Sequence, residues 1–380
     1  MKALVFERKM AKFAAAAVAG RIAPGRGAQV GPLSLQDIDE PELPGPGWVR
    51  VRPRLAGICG SDLATIDGHS SRYFEPIVSF PFVPGHEVVG ELDDGRRVAL
   101  VPILTCVTRD LPLCRWCGAG QPNLCEHTAF GHLEPGLQTG FCESTGGGWS
   151  IAFVAHESQL VAVPDDLSDD DAVMIEPTAC AINAIEMARP GDTAIIGAGT
   201  IGILTLAAAR LNRGLTNIVV AAKHPAQVAL ARKLGADRVV SPGELAATIR
   251  SRTHSMVVGD RLTGGCDNVI DCIGSEASLA QALSVVAPRG NVLLVGMPGS
   301  STHLDLTPLW HRQTSLRGAY AYTPAHFQTA INLVRALRLG RLVSATYPLS
   351  RYREAIEHAA NAGARGAVKI AFDLRSEKGR

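Results

Sequence analysis

One stretch constrains the fold more than any other: Gly197-Ala198-Gly199-Thr200-Ile201-Gly202. The run TAIIG (193–197) enters it as a buried strand, and TIGILTLAAARLN (200–212) leaves it as a helix. Alone, three glycines so spaced are a weak signal; between strand and helix they form a dinucleotide-binding turn. The first glycine makes the tight turn, the second admits a pyrophosphate to the backbone N–H groups, and the third lets helix and strand pack closely. The helix N-terminus then faces the negative charge. The competing reading is a set of turn glycines in an α/β fold without a nucleotide. The same alternation continues through NIVVAA (217–222), the helical HPAQVALARKLG, and the strand-like ADRVV, DNVIDCI (267–273) and NVLLVGM (291–297). Residues 177–320 are therefore read as a Rossmann domain, a doubly wound parallel sheet of the α/β class.

In such a domain an acid about 20 residues past the last glycine binds the ribose 2′-hydroxyl of NAD. Here the second strand ends Ala221-Ala222-Lys223-His224, with Ala222 at the acid's place. Lys223 and His224 begin the next helix, Pro225 lying in its first turn, and a cation there opposes the helix dipole unless an anion joins it. A 2′-phosphate supplies that anion, so the residues favour NADP over NAD. The assigned cofactor group is Gly197, Gly199, Thr200, Ile201, Gly202, Lys223, His224, Cys272, Gly274, Val295, Gly296, Met297 and Lys369.

The flanking regions read differently. Residues 1–176 are rich in Pro and Gly, with short apolar runs such as WVRVRPRLAGI and RRVALVPIL, the texture of an irregular, mostly β domain. The tail, 321–380, has two helical runs, HFQTAINLVRALRLG and REAIEHAANAG, and a closing strand, AVKIAFDL. Lys2 to Phe6 is read as a first strand and the following alanine run as a loop or short helix, not a leader peptide. The 37 basic and 36 acidic side chains nearly cancel, which argues against a nucleic-acid surface or a polybasic membrane patch. Nine cysteines in 380 residues are read as metal ligands and free thiols of a cytoplasmic protein, not a disulfide framework.

Four of those cysteines lie in CVTRDLPLCRWCGAGQPNLC (106–125). Cys59 stands in GICGSD, His86 and Glu87 in PGHEVVG, and Glu176 in IEPTACAINA. Taken singly each has an ordinary alternative: a buried thiol, a core histidine, an acid paired with an arginine, and for Ser61-Asp62 a helix N-cap. Together, in this order and over essentially the whole chain, these strings resemble the zinc-dependent medium-chain dehydrogenases, the family of alcohol, polyol, threonine and sugar dehydrogenases. The resemblance implies a GroES-like catalytic domain (1–176 with 321–380) flanking the Rossmann domain, and a homodimer or homotetramer. It implies a catalytic zinc on Cys59, His86 and either Glu176 or Glu87, with Asp62 orienting His86. A zinc there favours loss of an alcohol proton, which Ser61 passes on, while hydride moves between carbon and nicotinamide. The substrate is an alcohol or polyol, or the matching carbonyl. A sugar or amino-alcohol dehydrogenase of the same fold is the alternative within enzymes, and a non-catalytic nucleotide-binding redox sensor the alternative outside them. Tyr73, Phe74 and Trp149 are candidates for a pocket wall.

Two departures from the family pattern stand out. The usual relay histidine position, five after the first cysteine ligand, is Ala64, with His69 nearby. The usual C-x2-C-x2-C-x7-C of the structural zinc becomes C-x7-C-x2-C-x7-C: Cys114, Cys117 and Cys125 fit, and Cys106 is displaced by five residues. So small a lengthening costs well under ~1 kcal/mol of loop closure, so a closed four-thiolate structural zinc is expected, against a disulfide pair or a lobe without metal. Cys142, Cys180, Cys266 and Cys272 are read as free thiols.

Overall fold

The computed structural model describes residues 1–297 and 305–377, and the chain divides into two compact units, Met1–Glu176 with Thr323–Arg380, and Pro177–Tyr322.

In the first unit Lys2–Phe6 pairs antiparallel with Leu33–Asp37. The chain between them folds as the helix Met10–Ile22 and the single turn Gly27–Val30. The alanine run thus forms a 13-residue helix, longer than the short one expected. Alanine loses no side-chain entropy in a helix, and its small size lets the segment lie close against its neighbours. A Cβ on Gly20 would stand 2.7 Å from the Asp67 Cβ, and one on Gly27 only 2.2 Å from the Ile66 carbonyl oxygen. Asp67, which follows the helix Gly60–Ile66, is buried and accepts the backbone N–H groups of Gly25 (2.8 Å) and Gly27 (2.9 Å). The Asp67→Ala variant leaves both buried donors unsatisfied and is expected to lose about 2–3 kcal/mol, read as a lower midpoint in urea unfolding.

The main sheet of this unit runs Val343–Tyr347, Lys369–Asp373, Trp48–Gly57, Val88–Glu91, Arg97–Leu100, Leu160–Ala162, with Phe153–His156 on the first half of Trp48–Gly57. Apart from the parallel Val343–Tyr347/Lys369–Asp373 pair, neighbours are antiparallel. Val51, Ala56, Val88, Leu100, Trp149, Phe153 and Phe372 are among its core residues.

The second unit holds a six-stranded parallel sheet among the described residues, ordered Arg238–Val240, Leu215–Ala221, Gly191–Ile196, Cys266–Asp271, Val286–Leu294, Ser315–Gly318. Numbered along the chain, that order is the doubly wound dinucleotide-binding one, which reverses direction beside the first strand. Its strand centres are continuous apolar runs, Ala194–Ile196, Ile218–Ala221 and Val269–Ile270, as a sheet covered on both faces requires. Among the described residues no helix is long and apolar enough to cross a membrane.

Candidate active site and cysteine lobe

Two chain segments converge at the end of the strand Trp48–Gly57. Cys59 is the N-cap of the helix Gly60–Ile66, and its backbone N–H is accepted by Asp62 Oδ2 at 3.0 Å. The capping residue is thus Cys59, with Ser61 in the first turn. His86 arrives on PGHE, where Gly85 has φ = 100° and a Cβ would stand 2.4 Å from Trp149 Cδ1, so only glycine fits. The imidazole of His86 lies between two groups. Its Nδ1 is 3.5 Å from Asp62 Oδ1, and its Nε2 is 3.4 Å from Ser61 Oγ. Neither His86 Nδ1 nor Asp62 Oδ1 has another hydrogen-bond partner, and both are buried. Burial lowers the basicity of His86, but the Asp62 carboxylate and then the Cys59 sulfur raise it more, leaving it well above the ordinary histidine value. A cation is what this pocket calls for, and a metal ion would take the place of that proton.

Glu87, next in the chain, turns to the other side. Its carboxylate forms an ion pair with Lys369, both side chains being 2% exposed, and Lys369 Nζ also donates to the Ile58 carbonyl at 3.1 Å. Burial works against the charge on Lys369; Glu87, then Cys59, and finally Glu176 outweigh it and raise its pKa. The pair lies directly on Gly57, where a Cβ would stand 2.2 Å from Glu87 Oε2. Lys369, grouped with the cofactor from sequence, forms its ion pair within the first unit, with Glu87. The signal for this was available in the sequence: one cation inside the apolar strand AVKIAF needs a buried partner. Glu176 is 8% exposed in the first turn of Ile175–Glu186.

The cysteines of 106–125 do come together. Among the described residues, Cys106, Cys114, Cys117 and Cys125 are the group of three or more such donors whose ligand atoms all lie within 4.8 Å of one another. Cys59, His86 and Glu176 are not drawn that close. Cys106 Sγ is 3.6 Å from Cys125 Sγ and accepts the Cys114 N–H at 3.2 Å, so the displaced first cysteine reaches its place. None of the nine cysteines forms a disulfide. Burial raises Cys114, but backbone N–H groups, led by that of Cys117, lower it to about 6. Cys117 and Cys125 are raised, first by burial. Four thiols in such contact cannot all ionise without a cation among them.

In the second unit Gly197 has φ = 94°, and a Cβ on Gly202 would stand 1.9 Å from the Gly197 oxygen, the close strand–helix approach expected of that glycine. Gly199 caps the helix Thr200–Ala209, whose first turn holds Ile201. The loops after the next strands meet: Asp271 O accepts the N–H groups of Val295 and Gly296, both at 2.9 Å, and a Cβ on Gly274 would stand 2.7 Å from the Gly296 carbonyl carbon. Met297 is exposed. Cys272 donates to Thr205 Oγ1 at 3.7 Å, and burial pushes its pKa up to about 12. Ala222 is buried and Lys223 exposed. The helix begins at Pro225, with His224 as its N-cap and Gln227 accepting the His224 N–H, so Lys223 precedes the helix instead of starting it.

Two aromatic and relay expectations change. Trp149 is fully buried, donates Nε1–H to Gly57 O at 3.2 Å and packs edge-on against Phe372, so it is core, not a pocket wall. Tyr73 is 77% exposed, and Phe74 packs edge-on against it. His69 is exposed, its backbone N–H closing the turn on Ala64 O.

Two family models match the chain. Residues 45–165 match the alcohol dehydrogenase GroES-like domain, and residues 200–336 match the zinc-binding dehydrogenase domain. The chain belongs to the zinc-dependent medium-chain dehydrogenases. This dehydrogenase is 28% identical to an L-idonate 5-dehydrogenase of Vitis vinifera over 90% of its own length and 92% of the relative's. It is 27% identical to a sorbitol dehydrogenase of Arabidopsis thaliana over the same shares. The crystal structure of L-idonate 5-dehydrogenase from Escherichia coli superposes with a TM-score of 0.67 at 25% identity, covering 90% of this chain and 94% of that one.

Proposed function

We propose that this dehydrogenase interconverts an alcohol or polyol and its carbonyl, with NADP as the preferred nicotinamide cofactor, a catalytic zinc on Cys59, His86 and Glu176, and a structural zinc on the four clustered cysteines. The observation that carries the reading is the convergence of Cys59 and His86 at one helix N-terminus, with the imidazole set between Asp62 and Ser61. Thiolate, imidazole and carboxylate are donors that zinc takes, and three of them leave a position open for substrate. Glu176 is the third donor because Lys369 already holds the Glu87 carboxylate. Bound zinc supplies a Lewis acid that polarises the substrate oxygen. With Asp62 Oδ1 facing Nδ1, the imidazole proton would sit on Nδ1, and Nε2, which lies 3.4 Å from Ser61 Oγ, would be the atom offered to the metal. Ser61 Oγ, next to His86 Nε2, receives the substrate proton and hands it to water, as Ala64 offers no imidazole.

The cysteine lobe has no open position, so four sulfurs there hold shape and not substrate. The cytoplasm, where nine thiols stay reduced, and a homodimer or homotetramer complete the proposal. The names of the curated relatives, an L-idonate and a sorbitol dehydrogenase, support polyols as the first substrates to try.

The test is a panel of alcohols, polyols, sugars and amino alcohols followed at the nicotinamide absorbance with NAD⁺ and NADP⁺ in parallel, alongside elemental analysis. Two zinc ions per chain and polyol turnover are expected. Zinc loss on mild oxidation with no turnover of any alcohol would favour a redox sensor instead. Lys223→Ala is expected to raise KM for NADP⁺ about tenfold, the worth of one charge-assisted contact of about 1.5 kcal/mol, and to leave KM for NAD⁺ unchanged. An equal effect on both cofactors would remove Lys223 from the 2′-phosphate.

A further inference from the structure

Seven residues stand between the first and second ligands of the cysteine lobe, where the usual pattern has two. A longer loop leaves more conformations in which Cys106 is away from its partners, yet the structure brings it into the cluster. Two side chains account for this. The first is Arg109, in the added loop itself. It is 1% exposed, and its guanidinium donates to four carbonyl oxygens: Phe130 (2.9 Å), Leu133 (3.2 Å), Glu134 (3.2 Å) and Gly136 (2.8 Å). A buried guanidinium is held here without a carboxylate, by the chain that follows the last cysteine. Arg109 therefore ties the loop after Cys106 to the loop after Cys125.

The second is His127, two residues past Cys125. Its backbone N–H lies 3.4 Å from Cys125 Sγ, and its Nδ1 lies 3.2 Å from Cys106 Sγ. One residue thus touches the first and last sulfurs, which are 19 residues apart in sequence. A metal-bound thiolate has no proton to give, so in the loaded lobe Nδ1 must be the donor. Four thiolates around Zn²⁺ carry a net charge of about −2, and each N–H···S bond spreads part of it.

We propose that His127 and Arg109 are positioning residues for the lobe: Arg109 shapes the lengthened loop, and His127 Nδ1–H holds the Cys106 sulfur in the ligand set. Neither is a ligand. The proposal rests on the four-cysteine zinc site of the preceding section, and metal analysis of the unaltered protein tests that site separately.

The experiment uses the full chain with its zinc. Transfer of zinc to a chromophoric chelator is timed for the parent, His127→Leu, His127→Asn and Arg109→Met, and each protein is also loaded with Co²⁺ for absorption spectroscopy. His127→Leu and Arg109→Met are expected to release the lobe's zinc at least about tenfold faster, in the range usual for lost partners of metal ligands. His127→Asn, whose amide can donate from nearly the same point, is expected to release it at close to the parental rate. Read in a Cys59→Ser background, which removes the proposed catalytic site, the Co²⁺ spectrum of the otherwise parental lobe should be that of four sulfurs, and its thiolate-to-metal band should move in His127→Leu and not in His127→Asn. Parental release rates and spectra in both His127→Leu and Arg109→Met would overturn the proposal. A parental spectrum of three sulfurs and one nitrogen would overturn it too, by making His127 a ligand. If the parent binds no metal in the lobe at all, the zinc assignment itself fails, a result distinct from either. Should the Leu and Met variants not fold, the parental spectrum and the His127→Asn release rate still decide.

Discussion

Replacing Cys59 with serine is expected to lower kcat/KM for alcohol oxidation by at least about a thousandfold, a loss of about 4 kcal/mol of transition-state stabilisation. The reason is the donor set. In the proposed set Cys59 is the soft ligand, on the N-cap of a helix whose first turn also carries Ser61 and Asp62, so its replacement is expected to affect the metal and leave the surrounding fold in place. A serine hydroxyl is not ionised near neutral pH and is a poor substitute for thiolate. Elemental analysis should therefore find one zinc per chain where two are expected of the parent. The opposite pattern is expected for Cys114→Ser: zinc again falls by one, but the loss is in resistance to unfolding. A Cys59→Ser protein that keeps both metals and still oxidises alcohols would end the assignment of Cys59, His86 and Glu176.

The second large effect concerns Glu87 and Lys369. Each side chain is 2% exposed, and neither has water as an alternative partner. Removing one member of such a pair leaves the other charge buried, at a cost of about 3–5 kcal/mol. Glu87→Gln and Lys369→Met are each expected to lower stability by that order in urea unfolding. The double variant should recover much of it, since the desolvated charges go together. The sign of the pH dependence follows from Lys369, whose pKa is raised in the folded protein by Glu87 and then Cys59 against the effect of burial. Its contribution is complete below the unfolded-state lysine value, about 10.4, and is lost as pH rises through the higher folded value. The Lys369→Met protein should therefore lack an alkaline loss of stability that the parent shows. Single variants within about 1 kcal/mol of the parent, a range typical of exposed pairs, would show that the pair is not desolvated.

The strands and the nucleotide turn were legible because their signals are local. TAIIG, NIVVAA and DNVIDCI are apolar runs bounded by turn residues, and the parallel sheet follows from their alternation with helices. The strand containing NVLLVGM starts earlier than read, at Val286, because the helix Glu276–Val285 runs into it without a loop. The helix Met10–Ile22 was under-read because alanine is neutral in any apolar–polar pattern. Long-range partners were the least legible. Nothing beside Glu87 names Lys369, 282 residues away. Nothing in the spacing of Cys106 tells of Arg109 and His127, whose contacts depend on how two loops fold back. Trp149 stood open between pocket wall and core, because side-chain size does not distinguish the two, and it is core.

Lys369 lies on the strand Lys369–Asp373, which takes its place beside Trp48–Gly57 in the sheet of the first unit. The residues for the proposed catalytic zinc are all complete by Glu176, yet the positive charge that neutralises Glu87 comes 282 residues after it, beyond the whole of the second unit in sequence. The strand that completes the first unit's sheet thus enters only after the whole of 177–322 has been traversed along the chain. Until the final strand returns, Glu87 carries an unanswered charge at the edge of an unfinished sheet, and only its arrival closes the sheet and seals the buried pair.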